Sequence, residues 1–303
     1  MRRTGQTGGL SGVADRFRDL WEARTEAGET SARIVQARAL ILCAFPYTRV
    51  SERSVTRKAR IGLDTRMSVT FTSVDPAVPL PFGADRALFA WMQTEALHGG
   101  TVDFGALNQY LEAFRLGSSG REYRVAHERL RRLESLSMTI RVESPDTEEV
   151  AHLHPLKRAK KSRQVEAACK RRVSASLAVR RGRFGLELDP EFWQHLKSHP
   201  VPLPLGLMRQ FHNRPQAWDF AAFLFYRSFA ARSPSVVPWN DLVAQLGARD
   251  SFPRRLKASL ARVLREIWVV FPGFPPRFLP GFQGLAVEPW RHRGDRCLGL
   301  VRE

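Results

Sequence analysis

From Ala84 to His98 the apolar residues Leu88, Trp91, Met92 and Ala96 recur at helical spacing, with Asp85 standing where a cap is wanted. After Gly99-Gly100, the run Val102-Asp103-Phe104 predicts a short strand. A second helix follows through Leu107, Leu111 and Phe114, and Leu116-Gly117 is its natural stop. Beyond the Ser118-Ser119-Gly120 turn a third helix runs from about Arg121 to Leu136, with Ala126, Leu130 and Leu133 on one face. Met138 to Val142 then alternates as a strand towards a Ser-Pro-Asp turn. Three helices, strand, turn and strand are the order of a winged helix.

The second half repeats the plan. A long helix from Pro215 to about Phe229 buries Trp218, Ala222, Phe225 and Phe229. Val236-Val237-Pro238-Trp239 follows, then a short helix through Leu242 and Leu246 that closes on Gly247. After Asp250-Ser251 a third helix is expected from Phe252 to Trp268, and Val269-Val270-Phe271 reads as a strand. Val102, Phe104, Leu107 and Leu116-Gly117 thus have counterparts in Val237, Trp239, Leu242 and Leu246-Gly247.

The fold class expected is α+β and helix-rich: two tandem winged-helix DNA-binding domains with an N-terminal helical extension. The boundaries read from composition are an extension over residues 1–73, a first winged helix over 74–156 and a basic wing or linker over 157–184. A second winged helix spans 185–290, and 291–303 form a tail. In the extension, Val13, Phe17, Leu20 and Trp21 form an amphipathic helix, Ile34, Ala37 and Leu40 to Phe45 a second, and Arg60 to Phe71 strands. The first helix offers either a homodimer face or a surface that packs on the first winged domain.

A chain of 303 residues with 43% hydrophobic content, seven Trp and 19 Phe has material for about two packed domains and is not disordered throughout. Its longest wholly apolar run, Phe220 to Tyr226, falls far short of the ~18 residues of a membrane span. The start MRRTGQTGG lacks the apolar stretch of a secretory signal. The reading is a soluble, cytoplasmic protein with no membrane partner. Cys43, Cys169 and Cys297 are odd in number and widely spaced, which indicates neither a disulfide framework nor a cysteine metal site.

Charge changes the picture most. The chain carries 48 basic and 30 acidic residues, a net +18, and only seven of the 48 are Lys. Arg is the residue whose planar fork suits phosphate and guanine edges, so a polyanion is the expected partner. Residues 71–150 are net −4, whereas 151–183 hold 11 basic residues against one acidic. That stretch contributes Lys157, Arg158, Lys160, Lys161, Arg163, Lys170, Arg171 and Arg172 as phosphate-neutralising candidates. A solvated tether without specific contacts is the bland alternative.

A helical wheel separates the two faces of each third helix. In the later one Leu256, Leu260, Val263, Leu264 and Ile267 form the apolar face. Arg254, Arg255, Arg262 and Arg265 lie opposite around Ala258, and Lys257 completes the basic set. In the earlier one Arg121, Arg124, Arg131 and Arg132 face outward with Glu128 among them, which also fits salt bridges along a solvated helix. Both helices are of a kind that enters a major groove about 12 Å wide.

Enzymatic readings find little support. His152-Leu153-His154 matches a fragment of a rolling-circle nickase or relaxase, but no Tyr with a Lys three or four residues later accompanies it. There is no Gly-rich phosphate loop. We therefore expect no catalytic residue, metal or cofactor.

The chain resembles RepA-type plasmid replication initiators from about Ala39 to Gly273. The similarity is strongest in LPFGADRALFAWMQTEAL, Leu80 to Leu97. It continues in VDFGALNQYLEAFRL, the Arg132-Leu133 pair, PVPLPL from Pro200, WDFAAFLFYR from Trp218 and PWNDLVAQLG. AHERLRRL departs from the family where a Gln is expected near Arg129, and RRGR before Phe184 replaces a frequent aromatic, so base readout would differ. The resemblance implies binding to repeated sites in double-stranded origin DNA, opening of adjacent AT-rich DNA and recruitment of host helicase-loading proteins. It also implies repression of the protein's own gene as a dimer. A tandem winged-helix transcription regulator would share the same physics.

Overall fold

A computed structural model describes residues 33–62, 64–97, 99–104, 107–160, 184–247 and 253–290. It is a mixed helix-and-sheet fold in which two similar halves lean on a shared seam. The first half begins with β1 (Arg33–Ala37), α1 (Arg38–Leu42), β2 (Ser54–Arg60) and β3 (Arg66–Ser73). It continues through α2 (Asp85–Ala96), β4 (Thr101–Phe104), α3 (Asn108–Ala113), α4 (Gly120–Glu134), β5 (Leu136–Glu143), β6 (Glu148–Leu153) and β7 (Leu156–Lys160). After β8 (Phe184–Leu188) come α5 (Pro190–Ser198), β9 (Pro200–Pro204) and α6 (Leu205–Gln210). The second half is α7 (Pro215–Ala230), β10 (Ser235–Pro238), α8 (Trp239–Leu246), α9 (Pro253–Val270), β11 (Arg277–Phe278) and β12 (Gly284–Val287).

In each half three helices alternate with a short strand, and the sheet that closes them has one order. It is β4-β8-β7 in the first half and β10-β12-β11 in the second, with the last strand of each half at the centre. All these pairings are antiparallel. The first half carries in addition a four-stranded antiparallel sheet of order β2-β3-β5-β6. Its inner face is apolar because Met67, Val69 and Phe71 alternate along β3 and pair in register with Val142, Ile140 and Met138 of β5.

The seam between the halves runs along β1, α2 and α7. β9 carries prolines opposite Arg33, Val35 and Ala37, positions where a donor towards β1 is not needed. The N–H groups of Val35 and Ala37 turn instead to α2, donating to Thr94 Oγ1 (2.7 Å) and Gln93 Oε1 (2.8 Å). On β1's other neighbour, Gln36 Oε1 accepts from the indole N–H of Trp218 on α7 at 3.1 Å. Beside this lies an ion pair: Arg86 Nε of α2 is 2.8 Å from Asp219 Oδ1 of α7, both side chains 2% exposed. The same guanidinium donates to the carbonyls of Gly83 and, at 2.8 Å, of Phe45, and lies over the Tyr47 ring. Burial pushes the Asp219 carboxyl up to about 6 even though Arg86 pulls the other way.

A second contact joins α8 to β2. Gly247 ends α8 in the left-handed region (φ +59°), and a side chain there would run into the guanidinium of Arg57. The left-handed backbone favours glycine at position 247, and a side chain there would also have to displace the Arg57 head group.

Several expectations change. The run Met138 to Val142 and the His152-Leu153-His154 segment lie in β5 and β6, in the four-stranded sheet, because their inward residues complete the core begun by β3. The strand beside β8 is β7, so the basic segment starts and ends inside the sheet of the first half. Val269 and Val270 continue α9 instead of forming a strand, since Ile267 and Val270 extend its buried stripe. The first short helix stops at Arg115 (φ 50°), two residues before Gly117. Ile34 to Phe45 is not one helix but β1 followed by α1, because β9 is there to pair with it. Ala84 is the N-cap of α2, and the buried side chain of Asp85 reaches back to accept from Phe82 N–H (3.0 Å). The predicted helix over Val13 to Trp21 and the 291–303 tail lie outside the described residues.

Two outcomes check this account. Asp219→Ala leaves Arg86 buried without its partner and should cost about 3–5 kcal/mol in urea unfolding, whereas Arg86→Met with Asp219→Leu should recover most of that. His195 on α5 is driven down from 6.5 to about 4, first by burial and then by His199 and Arg38. The unfolded chain therefore takes up its proton first, so this contribution is intact above pH 6.5 and lost as pH falls towards 4. Asp219 acts in the opposite sense over about pH 4–6, so the comparison must be between wild type and His195→Leu. The variant should lose less stability on acidification from 6.5 to 4; an unchanged slope would contradict the assignment.

Candidate nucleic-acid interface

Each half presents its third helix by the same device, a buried apolar stripe on one side that leaves the opposite side free. On α9, Leu256, Leu260, Val263, Leu264 and Ile267 are buried. Glu266 anchors the helix to the start of α7 by accepting from Arg214 at 2.8 Å, and Trp268 Nε1 donates to Phe274 O at 3.0 Å. The outer side carries Arg254, Arg255, Arg262 and Arg265, all exposed, around Ala258 and Ser259. Arg254, Arg262 and Arg265 fall within one stripe along about three turns, and no carboxylate interrupts it.

Lys257 does not belong to that stripe. Its ammonium donates to Leu279 O (3.2 Å) and to Gly281 O, with the Phe282 ring 5.2 Å away. It ties α9 to the β11–β12 turn. The signal for this role is absent from the local sequence, since the carbonyls it caps lie 22 and 24 residues away.

On α4 the stripe Tyr123, Ala126, Leu130 and Leu133 is buried, and Arg121, Arg124 and Arg131 are exposed. Arg131 has Asp75 at 3.8 Å, a loose surface pair that leaves it available. Arg132 is different. It grips the buried carboxylate of Asp85 with both arms, at 2.6 and 2.8 Å, and stacks on Phe82. A bidentate pair of this kind holds α4 on α2 and corrects the expectation that Arg132 faces DNA. Arg129, 3.8 Å from the same carboxylate, donates to Tyr110 OH at 2.9 Å. Glu128 and Glu122 remain on the helix, and Ser119 Oγ donates to Glu122, holding its carboxyl below the usual range. The α4 face is therefore mixed in charge where the α9 face is basic.

The basic segment of the first half is attached to β7 and β8. Lys157 is exposed with Glu187 at 3.7 Å. Arg158 and Lys160 lie on β7 opposite Glu187 and Gly185. Lys161, Arg163, Lys170, Arg171 and Arg172 lie outside the described residues.

The structure also collects cations that the sequence reading passed over. Lys58, Arg60, Arg66 and Arg141 alternate onto the outer face of the four-stranded sheet, where they line a groove of about 880 Å³ against α8. Thr56 and Thr70 hydroxyls bond across strands in the same groove at 2.9 Å. Asp64, Glu143 and Asp241 share the lining, which nearly balances the charge. The period-two pattern of Thr56, Lys58 and Arg60 was the available signal.

Among the described residues no group of three or more His, Cys, Asp or Glu is placed to hold a metal. His152 sits on β6 with Nδ1 3.1 Å from Thr139 Oγ1. Burial pushes the Cys43 thiol up to about 12. No described helix is long and apolar enough to cross a membrane.

No protein-family model and no curated protein sequence matches the chain. Among solved structures it is similar to crystal structures of domains 2 and 3 of RctB. One is 14% identical with a TM-score of 0.48, covering 80% of this chain and 83% of that one. Another is 18% identical with a TM-score of 0.45, covering 75% and 82%.

The division between outward and clamped cations is open to measurement. Arg132→Ala should lower stability by about 3 kcal/mol because it strips the buried Asp85 of its closest partner. Arg262→Ala should stay within about 0.5 kcal/mol of wild type. Thermal and urea unfolding of the two variants would show equal losses if Arg132 were merely a surface residue.

Proposed function

We propose that the protein is a bipartite binder of double-stranded DNA, built of two tandem winged helices, that initiates replication at an origin. The observation that carries the DNA-binding part is the repetition of one helix and sheet arrangement around two outward third helices, one of them with an uninterrupted Arg stripe. In this reading β7–β8 and β11–β12 are the wings, and the basic residues of 157–183 neutralise phosphates between two major-groove contacts. α9 reads bases through Arg254, Arg262 and Arg265, while α4 contributes Arg121, Arg124 and Arg131 beside acidic neighbours. No catalytic step or cofactor is assigned.

The step from DNA binding to replication rests on the resemblance to RepA-type plasmid initiators. Repeated origin sites, opening of nearby AT-rich DNA, recruitment of host replication proteins, self-repression and a homodimer all belong to that resemblance.

A footprint on the DNA flanking the gene tests both levels. Direct repeats beside AT-rich DNA that replicate only with the protein support the initiator, whereas a promoter palindrome without origin activity makes it a regulator. Replacing Arg254, Arg262 and Arg265 with Ala should abolish site-specific protection and leave the fold intact, each base-reading Arg costing about 1–3 kcal/mol. Neutralising Lys157, Arg158, Lys160 and Lys161 should instead weaken binding to all duplexes and flatten the slope of log K against log salt. Identical behaviour of the two sets would refute the division of labour.

A further inference from the structure

The Arg86–Asp219 pair is an unusual way to join two halves. Apolar residues at the seam, Phe45 and Phe89 beside the pair and Phe114 stacked on Trp218, are buried and could close the interface without any charge. An ion pair of this kind adds little net stability, since removing both charges from water offsets most of their attraction. What it adds is proximity: a buried charge pair 2.8 Å apart loses attraction with every ångström by which α7 moves away from α2.

Everything around the pair restricts it further. Arg86 is held at three corners, by Asp219 and by the carbonyls of Gly83 and Phe45, so its head cannot follow Asp219 if α7 rotates. Asp219 is the neighbour of Trp218, whose indole N–H bonds to Gln36 on β1. Gln93, two turns along α2 from Arg86, bonds to the next residue of β1, Ala37. Two helices and the strand between them are thus registered by buried polar bonds that a slip of one residue would break together. α2 carries α4 through Asp85 and Arg132, and α7 carries α9 through Arg214 and Glu266. A continuous chain of close polar and ionic contacts therefore runs from one outward helix to the other: Arg132, Asp85, α2, Arg86, Asp219, α7, Arg214, Glu266.

We infer that Arg86 and Asp219 are positioning residues that fix the angle and separation of α4 and α9, and with them the spacing of the two DNA segments the protein can bind at once. The spacing half of this inference rests on the DNA-binding reading above; the geometric half does not.

The test uses the full-length protein and the pair Arg86→Met with Asp219→Leu, chosen because it keeps volume and leaves no unpaired buried charge. Circular dichroism and urea unfolding establish that it folds, and Asp219→Asn, close in shape and neutral, serves if it does not. Nitroxide labels go on Val125→Cys of α4 and Ser259→Cys of α9, with Cys169 and Cys297 changed to Ser and buried Cys43 left in place. Pulsed electron-spin distance measurement without DNA should give one narrow distribution for the wild type and a distribution at least twice as broad for the folded variant. A distribution as narrow as wild type would overturn the inference whatever the protein does with DNA.

Duplexes selected by the wild-type protein from a random library then receive insertions of one to five base pairs at the centre of the footprint. Wild-type affinity should fall at least tenfold on an insertion of two, and variant affinity by less than threefold. If distances broaden but the wild type selects no sequence, the DNA reading fails and the positioning role stands. If the wild type selects a sequence and both proteins show the same spacing profile, the positioning role fails and the DNA reading stands.

Discussion

One buried interaction, the contact of Arg86 with Asp219, lies where the two halves meet. It is the place where two helices from separate halves meet in a medium that neither charge would enter alone. The cost of taking them out of water is offset by their mutual attraction and by two carbonyls on the guanidinium. Around it, β1 acts as a splint with one edge on β9 and side-chain bonds to both α2 and α7. The strand that opens the first half and the segment between the halves are therefore parts of the joint.

That joint explains why arginine plays two roles in this chain. Arg86, Arg132, Arg214 and Arg129 are turned inward, each holding one element to another through a carboxylate. Arg254, Arg262 and Arg265 are turned outward on a helix whose inner stripe is wholly aliphatic. Both sets use the same planar, multiply donating head group. What separates them is burial and the presence of a carboxylate within reach, and it is the outward set that matters for a polyanion.

The two outward helices are not equivalent. α9 offers cations alone, whereas α4 mixes Arg121, Arg124 and Arg131 with Glu122 and Glu128. The first half has further basic residues in the sequence between β7 and β8, whereas the second half has its positive charge on a helix. An asymmetric division of this kind suits a partner contacted at two unlike places.

The repeated helices, the apolar stripes of α4 and α9 and the basic content of 157–183 were all readable from the chain, because periodicity and charge are local properties. The glycine at the end of α8 was readable for the same reason, since the left-handed conformation it supplies is a matter of one residue. Tertiary structure decided the rest. Strand partners depend on which distant segment arrives, so β5 joined β3 while β7 joined β8, and the run after α9 stayed helical. Arg132 and Lys257 looked like their outward neighbours because nothing within a few residues distinguishes them. Asp85 lies 47 positions from Arg132, and the carbonyls that Lys257 caps lie more than 20 away. The sequence determined which faces are apolar and which are basic; only folding, by bringing a carboxylate or carbonyl to some of those cations, decided which of them face solvent.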